Sequence, residues 1–194
     1  MRNHCTVLLA ASLLLPAPAL AQQWNVIHDE SILGFATTQQ GSRFEGRFGF
    51  TADMRFDRDN LDNSAFDVTI DVTTVETGSR DRDDALAEEQ FFWFDEYPEA
   101  FFQTTRIEHI DGDDYRATAD LTIRGHTQEV TLPFTWTEDG DTAEVSGSVA
   151  ARMDGGLTLE PLDWDVGDEE WVEDGSIGRE TEVFVELLLE RGDS

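Results

Sequence analysis

Hydrophobic and polar residues alternate along most of this chain with a period of two. From Phe44 to Phe56, one row holds Phe44, Gly46, Phe48, Phe50, Ala52, Met54 and Phe56; Arg43, Glu45, Arg47, Thr51, Asp53 and Arg55 form the other. Such a run puts one row on each face of an extended strand. The rhythm returns in Phe66, Val68, Ile70 and Val72, set against Asp67, Thr69, Asp71 and Thr73. It returns again in Tyr115, Ala117, Ala119, Leu121 and Ile123, and in Val130, Leu132, Phe134 and Trp136. Val145, Gly147, Val149, Ala151 and Met153 repeat it, as do Val183, Val185, Leu187 and Leu189. Turn-forming clusters separate these runs: Asp57-Arg58-Asp59-Asn60, Asp111-Gly112-Asp113-Asp114 and Glu138-Asp139-Gly140-Asp141.

The pattern predicts an all-β domain of eight to ten antiparallel strands, most of them joined by short connections. Each strand has one dry face, so the sheet closes into a barrel or folds into a sandwich. The Phe44–Phe56 run would extend roughly 40 Å at ~3.3 Å per residue, a length that suits a barrel better than a small sandwich. Two stretches lack the alternation. Arg82 to Gln90 is made of helix formers and predicts a short helix, with Phe91, Phe92, Trp93 and Phe94 leading out of it. Asp154 to Gly178 reads as irregular.

The first residues read as an address. Arg2 precedes the apolar run Thr6 to Leu15, and Ala19-Leu20-Ala21 offers a small-x-small cleavage site. A signal peptide over 1–21, cut before Gln22, would leave one domain over 22–194 in the periplasm or outside the cell. The apolar run is too short for a permanent membrane span. No other segment is long and apolar enough to form one. Cys5 is the single cysteine, so the mature chain would have no thiol and no disulfide.

Charge narrows the partners. Forty-two acidic and thirteen basic residues give a formal charge of −29, and every basic residue is an arginine. A surface of this sign does not favour nucleic acid, whose phosphates need cations. Self-repulsion at this charge is relieved by salt, and the composition predicts a halophilic protein.

Candidate chemistry is sparse. His28, His109 and His126 lie far apart in the sequence with no metal-ligand spacing. The acidic run Asp163, Asp165, Asp168, Glu169, Glu170, Glu173 and Asp174 lacks the spacing of a calcium loop. No nucleophile elbow and no phosphate-binding glycine loop is present. Thirteen Phe and five Trp are conspicuous instead. Most of these must form a core. A barrel of about eight strands can also hold one apolar ligand, and Gly46, Ala52, Ala117, Ala119, Gly147 and Ala151 on its inward face would leave room.

Several segments resemble the YceI-like family of secreted bacterial proteins. Trp24 to Phe35, with Ser31 before Ile32-Leu33-Gly34-Phe35, looks like its first hairpin. Phe44-Glu45-Gly46-Arg47-Phe48 resembles its F-x-G-x-F strand, and Thr77 with Arg82-Asp83 and Leu86 its T…RD-x-x-L segment. The segment from Leu121-Thr122-Ile123-Arg124-Gly125 to Thr127, with Val130, Leu132 and Pro133, resembles its most specific signature. Trp164-Asp165-Val166-Gly167 with Glu170-Trp171 is similar to the ending of a subgroup also found fused to b-type cytochromes. Three positions depart from the pattern. Glu30 and Ala85 stand where histidine is common, and Pro161 stands near the place of a common arginine.

The resemblance implies a lipocalin-like, elongated antiparallel barrel of about eight strands with a short helix. It implies a polyisoprenoid or quinone-like lipid in the interior, a periplasmic or secreted location, and dimers in some members. The expected function is non-enzymatic binding or transport of a long apolar ligand, with no cofactor beyond that lipid and no metal. Two rival readings are an interaction module for a membrane redox protein and a carboxylate-using barrel enzyme. The expected ligand-binding residues are Phe48, Phe50, Val68, Ile70, Leu121, Ile123, Phe134 and Trp136 along the interior, with Phe91, Phe92 and Phe94 near a mouth.

Overall fold

A computed structural model describes residues 21–149 and 160–192. The first twenty residues of the expected signal peptide, and Ala151 and Met153 of the expected Val145–Met153 strand, lie outside the described residues. Nine strands form the wall: β1 (Gln22–Val26), β2 (Ile32–Gln39), β3 (Ser42–Phe56), β4 (Ala65–Glu76), β5 (Glu99–Asp111), β6 (Asp114–Ile123), β7 (His126–Asp139), β8 (Thr142–Val149) and β9 (Glu182–Arg191). Two short helices, α1 (Arg80–Leu86) and α2 (Glu169–Glu173), interrupt them.

Every pairing is antiparallel, and the ladder closes on itself through β2–β9 and β3–β4. β1 and β2 share one place in the wall. β1 lies between the closing halves of β3 and β9, and β2 between their other halves. The barrel is therefore eight-stranded, with its first strand broken by a tight turn at His28–Glu30. The break is stitched to β9. The Ile27 N–H donates to the Leu188 carbonyl, and the Ser31 hydroxyl accepts the Leu188 N–H at 3.0 Å. No ladder donor of Leu188 is left orphaned in the wall.

The alternation read from the sequence sets the pleat. In β3, Gly46, Met54 and Phe56 are buried, Phe44, Phe48, Phe50 and Ala52 are partly buried, and their odd-numbered neighbours are exposed. β6 repeats the scheme with Tyr115, Ala117, Ala119 and Leu121 buried. Hairpins β2–β3 and β6–β7 turn on Gln40-Gly41 and Arg124-Gly125, pairs with positive φ that match the strand twist. In β4 the ladder to β3 slips between Arg47 and Gly49. There the Thr74 hydroxyl accepts the Gly49 N–H, beside a bulge that interrupts the regular ladder.

The two ends differ. The hairpins β3–β4, β5–β6 and β7–β8 are at one end, where Trp24, Met54, Phe56, Phe66, Tyr115, Phe134, Trp136 and Leu189 fill the interior. Phe56 stacks on Trp136 with centroids 4.1 Å apart, and Trp24 meets Trp136 edge-on at 5.4 Å. The connection from β4 to β5 and the described part of that from β8 to β9, residues 160–181, lie over the other end. α1 is shorter than the expected Arg82–Gln90 helix. The Phe92 N–H bonds back to the Leu86 carbonyl and Phe94 N–H to the Ala87 carbonyl, so the chain coils into turns that aim aromatic rings inward. The described part of the stretch expected to be irregular is partly helical: a 3-10 turn at Pro161–Trp164 precedes α2, and Asp168 caps α2 by accepting the Glu170 N–H at 2.8 Å.

Candidate functional site

Beneath the two connections lies a cavity of about 190 Å³. Its wall is Leu33 and Phe35 from β2, Phe44 and Phe48 from β3, Ile70 and Val72 from β4, Ala100 from β5, Leu121 and Ile123 from β6, and Val183 from β9. Ala85, Leu86, Phe91 and Phe92 close it from one side, and Pro161, Trp164, Val166 and Val172 from the other. Each strand contributes inward rows because its pleat has period two, and the wall is apolar because those rows are.

Local contacts hold these groups in place. Phe48 stacks on Phe35 at 5.3 Å and meets Phe92 edge-on at 5.7 Å. Trp164 is buried and donates its ring N–H to the Leu121 carbonyl at 3.0 Å, so its apolar face can line the cavity without an unpaired donor. Asp83 accepts both the Thr77 N–H at 2.9 Å and the Thr77 hydroxyl at 2.6 Å, tying α1 to the end of β4. Arg82 donates to the Thr77 hydroxyl and carbonyl and lies over the Phe44 ring. It is the single charged side chain on the described wall.

The structure brings together Phe48, Ile70, Leu121, Ile123, Phe91 and Phe92 of the expected ligand residues. It separates the others from the cavity. Phe134 and Trp136 face inward but belong to the solid end, where Phe66 and Phe56 pack on them. Phe50 and Val68 pack around buried neighbours between the two ends, and Phe94 lies behind Phe92 at 6.5 Å. Alternation decides which face a residue takes; depth along the barrel axis depends on strand register, which no single strand encodes.

The small inward residues do a different job from the one expected. None of Gly46, Ala52, Ala117, Ala119 and Gly147 lines the cavity. A Cβ at Gly46 would overlap the Phe35 ring, and one at Gly147 would lie 2.7 Å from the Pro133 carbonyl oxygen. Ala117 and Ala119 are fully buried among core side chains. These positions admit neighbouring rings and backbone rather than a guest. Ala151 lies outside the described residues.

Sequence reasoning missed Leu33, Phe35, Phe44, Val72, Ala100, Val183 and Trp164 as wall residues. Phe44, Val72 and Val183 belong to the alternating rows of β3, β4 and β9, which give their face but not their depth, whereas Leu33 and Phe35 in β2 and Ala100 in β5 lie in segments without clean polar–apolar alternation. Trp164 lies in a stretch with no period. Two of the three departures from the family pattern, Ala85 and Pro161, lie on the wall and make it more apolar.

The described wall carries no histidine and no carboxylate. His28 rests against Phe50 at 5.2 Å, the His109 ring bonds the Gly112 carbonyl, and His126 is exposed. Among the described residues no group of three or more histidine, cysteine or carboxylate side chains is placed to hold a metal ion. No described helix is long and apolar enough to cross a membrane.

Known proteins share this architecture. The sequence profile of the YceI-like domain matches residues 24–189. A UPF0312 protein of Vibrio parahaemolyticus is 28% identical over 162 residues, which span 81% of this chain and 85% of that protein. The YceI protein of Escherichia coli is 37% identical over 92 residues, 47% of this chain and 48% of its own. The crystal structure of BcnA from Burkholderia cenocepacia superimposes with a TM-score of 0.76 at 27% identity, covering 84% of this chain and 99% of that one. A polyisoprenoid binding domain from Saccharophagus degradans superimposes with a TM-score of 0.63 at 15% identity, over 88% of this chain and 99% of that domain, a likeness of fold.

Proposed function

The chain belongs to the YceI-like family, and from that premise and the apolar cavity we propose that it binds and carries a long apolar chain of the polyisoprenoid or isoprenoid-quinone kind, without chemistry, in the periplasm or outside the cell. The family and the fold are consistent with non-enzymatic binding of an apolar ligand in a barrel. The single observation that carries the proposal is the cavity itself, walled by Leu33, Phe48, Ile70, Leu121 and Ile123 while the opposite end is packed solid.

Burying one prenyl unit contributes a few kcal/mol, at ~25 cal/mol per Å² of apolar surface, less the cost of ordering the chain. The cavity is small beside the few hundred Å³ usual for ligand sites. A long chain enters it fully only as the two covering connections move outward. Its apolar tail occupies the wall formed by Phe48, Ile70, Leu121 and Ile123, with Phe91 and Phe92 over it.

Native mass spectrometry of protein purified from its own host tests this. The expected spectrum shows the chain with one added lipid mass, and Phe48→Asp abolishes that species while leaving the fold intact. Protein that is free of lipid and takes up neither farnesol nor a quinone analogue would remove the proposal and favour an interaction module for a redox partner.

A further inference from the structure

Four side chains form the boundary between the hollow and the filled halves of the barrel. Among the described residues, Phe50, Phe102, Leu132 and Val185 are the partly buried ones that pack both on the solid-end cluster and on the clusters around the cavity. They come one each from β3, β5, β7 and β9, so alternate strands of the eight-stranded wall supply one layer across its interior. Where Leu132 and Val185 enter, their ladder partners on β6 and β8 are Ala117 and Gly147, too small to compete for the axis. The cavity stops at this layer. Val185 pairs with Leu33, Phe50 with Ile70 and Phe102 with Leu121; these three partners line the cavity, and the four layer residues do not.

We propose that this layer is a ruler: it fixes how many prenyl units of the ligand are buried, and so sets the chain length above which affinity stops rising. The proposal rests on the reading of the cavity as a lipid site and adds the residues that measure the guest. From Phe50 to Phe44, which lies under α1 against Arg82, β3 runs six residues. That is ~20 Å at ~3.3 Å per residue, or ~15 Å along the axis of a barrel whose strands tilt by ~35–45°. An extended chain advances ~3.5 Å per three bonds, so the four bonds of a prenyl unit take up ~4.5 Å and this depth accepts about three units. Further units stay at the mouth, where they lose little contact with water. No lower step is open to the tail, because Phe66 and Phe134 already meet at 5.4 Å in the filled half.

Lipid-free full-length protein is titrated by calorimetry with geraniol, farnesol and geranylgeraniol, which carry two, three and four prenyl units. The wild type is expected to gain about tenfold or more in affinity from geraniol to farnesol, and less than about threefold from farnesol to geranylgeraniol. Phe102→Ala removes a benzyl group, comparable in bulk to one prenyl unit, and should carry the tenfold steps on to geranylgeraniol. Val185→Phe adds bulk to the layer and should end the rise at geraniol. Phe66→Ala, in the filled half, lowers the melting temperature but keeps the wild-type length profile, which a loss of stability alone does not shift. A wild-type affinity that keeps climbing through geranylgeraniol overturns the ruler and leaves the cavity reading standing. So does a profile left unmoved by the two layer variants while circular dichroism shows them folded, or the same shift in Phe66→Ala as in Phe102→Ala. If Phe102→Ala does not fold, Val185→Phe and the wild-type profile decide between these outcomes. Binding of none of the three alcohols removes both the ruler and the lipid site.

Discussion

The ring of Phe91 stacks on the ring of Trp171, with centroids 5.6 Å apart and planes inclined by 25°. Phe91 leads out of α1, and Trp171 belongs to α2, about eighty residues further along the chain. A hydrogen bond from the Gly167 N–H to the Gln90 carbonyl, 2.8 Å long, lies beside this stack. The two connections that cover the cavity are thus fastened to each other as well as to the barrel. Arg124 adds a third tie. Buried in the β6–β7 turn, it pairs with Asp165 at 3.5 Å and faces Trp93.

The stack should set how readily the cover opens. Phe91→Ala and Trp171→Ala, measured singly and together, are expected to show a coupling of ~0.5–1.5 kcal/mol, the usual worth of an aromatic pair. Each single variant should speed amide hydrogen exchange in residues 87–98 and 161–178 and hasten ligand release. Additive effects and unchanged exchange would show that the cover moves as two separate pieces.

The two barrel ends should separate stability from binding. Ala100 lines the cavity, and Ala100→Phe fills it; lipid uptake should be lost while the melting temperature holds within a few degrees. Trp136→Ala hollows the solid end and is expected to cost ~3–5 kcal/mol of stability. That variant should still bind lipid below its melting temperature. Loss of uptake in Trp136→Ala at full folding would mean that the ligand reaches the far end after all.

Tyr115 supplies a pH signature for the solid end. Its burial raises the phenol above the ordinary value of ~10; Arg58 opposes this, and Asp113 and Glu138 reinforce it. The folded state therefore holds the phenolic proton more tightly than the unfolded chain. The contribution is complete below pH ~10 and is lost as pH climbs through the raised folded value. Denaturation at pH 9 and at pH 11 should show the wild type losing more stability than Tyr115→Phe. Equal losses would mean that the phenol is not desolvated.

Salt should stabilise the protein. With a charge of −29 and no lysine, repulsion among surface carboxylates weakens as the screening length shrinks. The melting temperature is expected to rise by roughly 5 °C or more between dilute buffer and ~2 M NaCl. A flat profile would leave the acidic surface with no role in salt tolerance.

The sequence by itself determined the all-β class, the inward and outward rows of β3 and β6, the closing hairpin turns and the hydrophobic character of the interior. These follow from residue spacing on one strand at a time. It also carried Phe48, Ile70, Leu121 and Ile123 to the right face. Only the tertiary structure decided that Trp136 and Phe134 plug one end, that Gly46 makes way for Phe35, that Trp164 arrives from a distant loop, and that Arg82 stands on the wall over the Phe44 ring. The physical reason is the reach of the interactions. A pleat is set by neighbours in the chain. Depth in a barrel and the filling of its interior depend on register and side-chain volume summed over strands far apart in sequence.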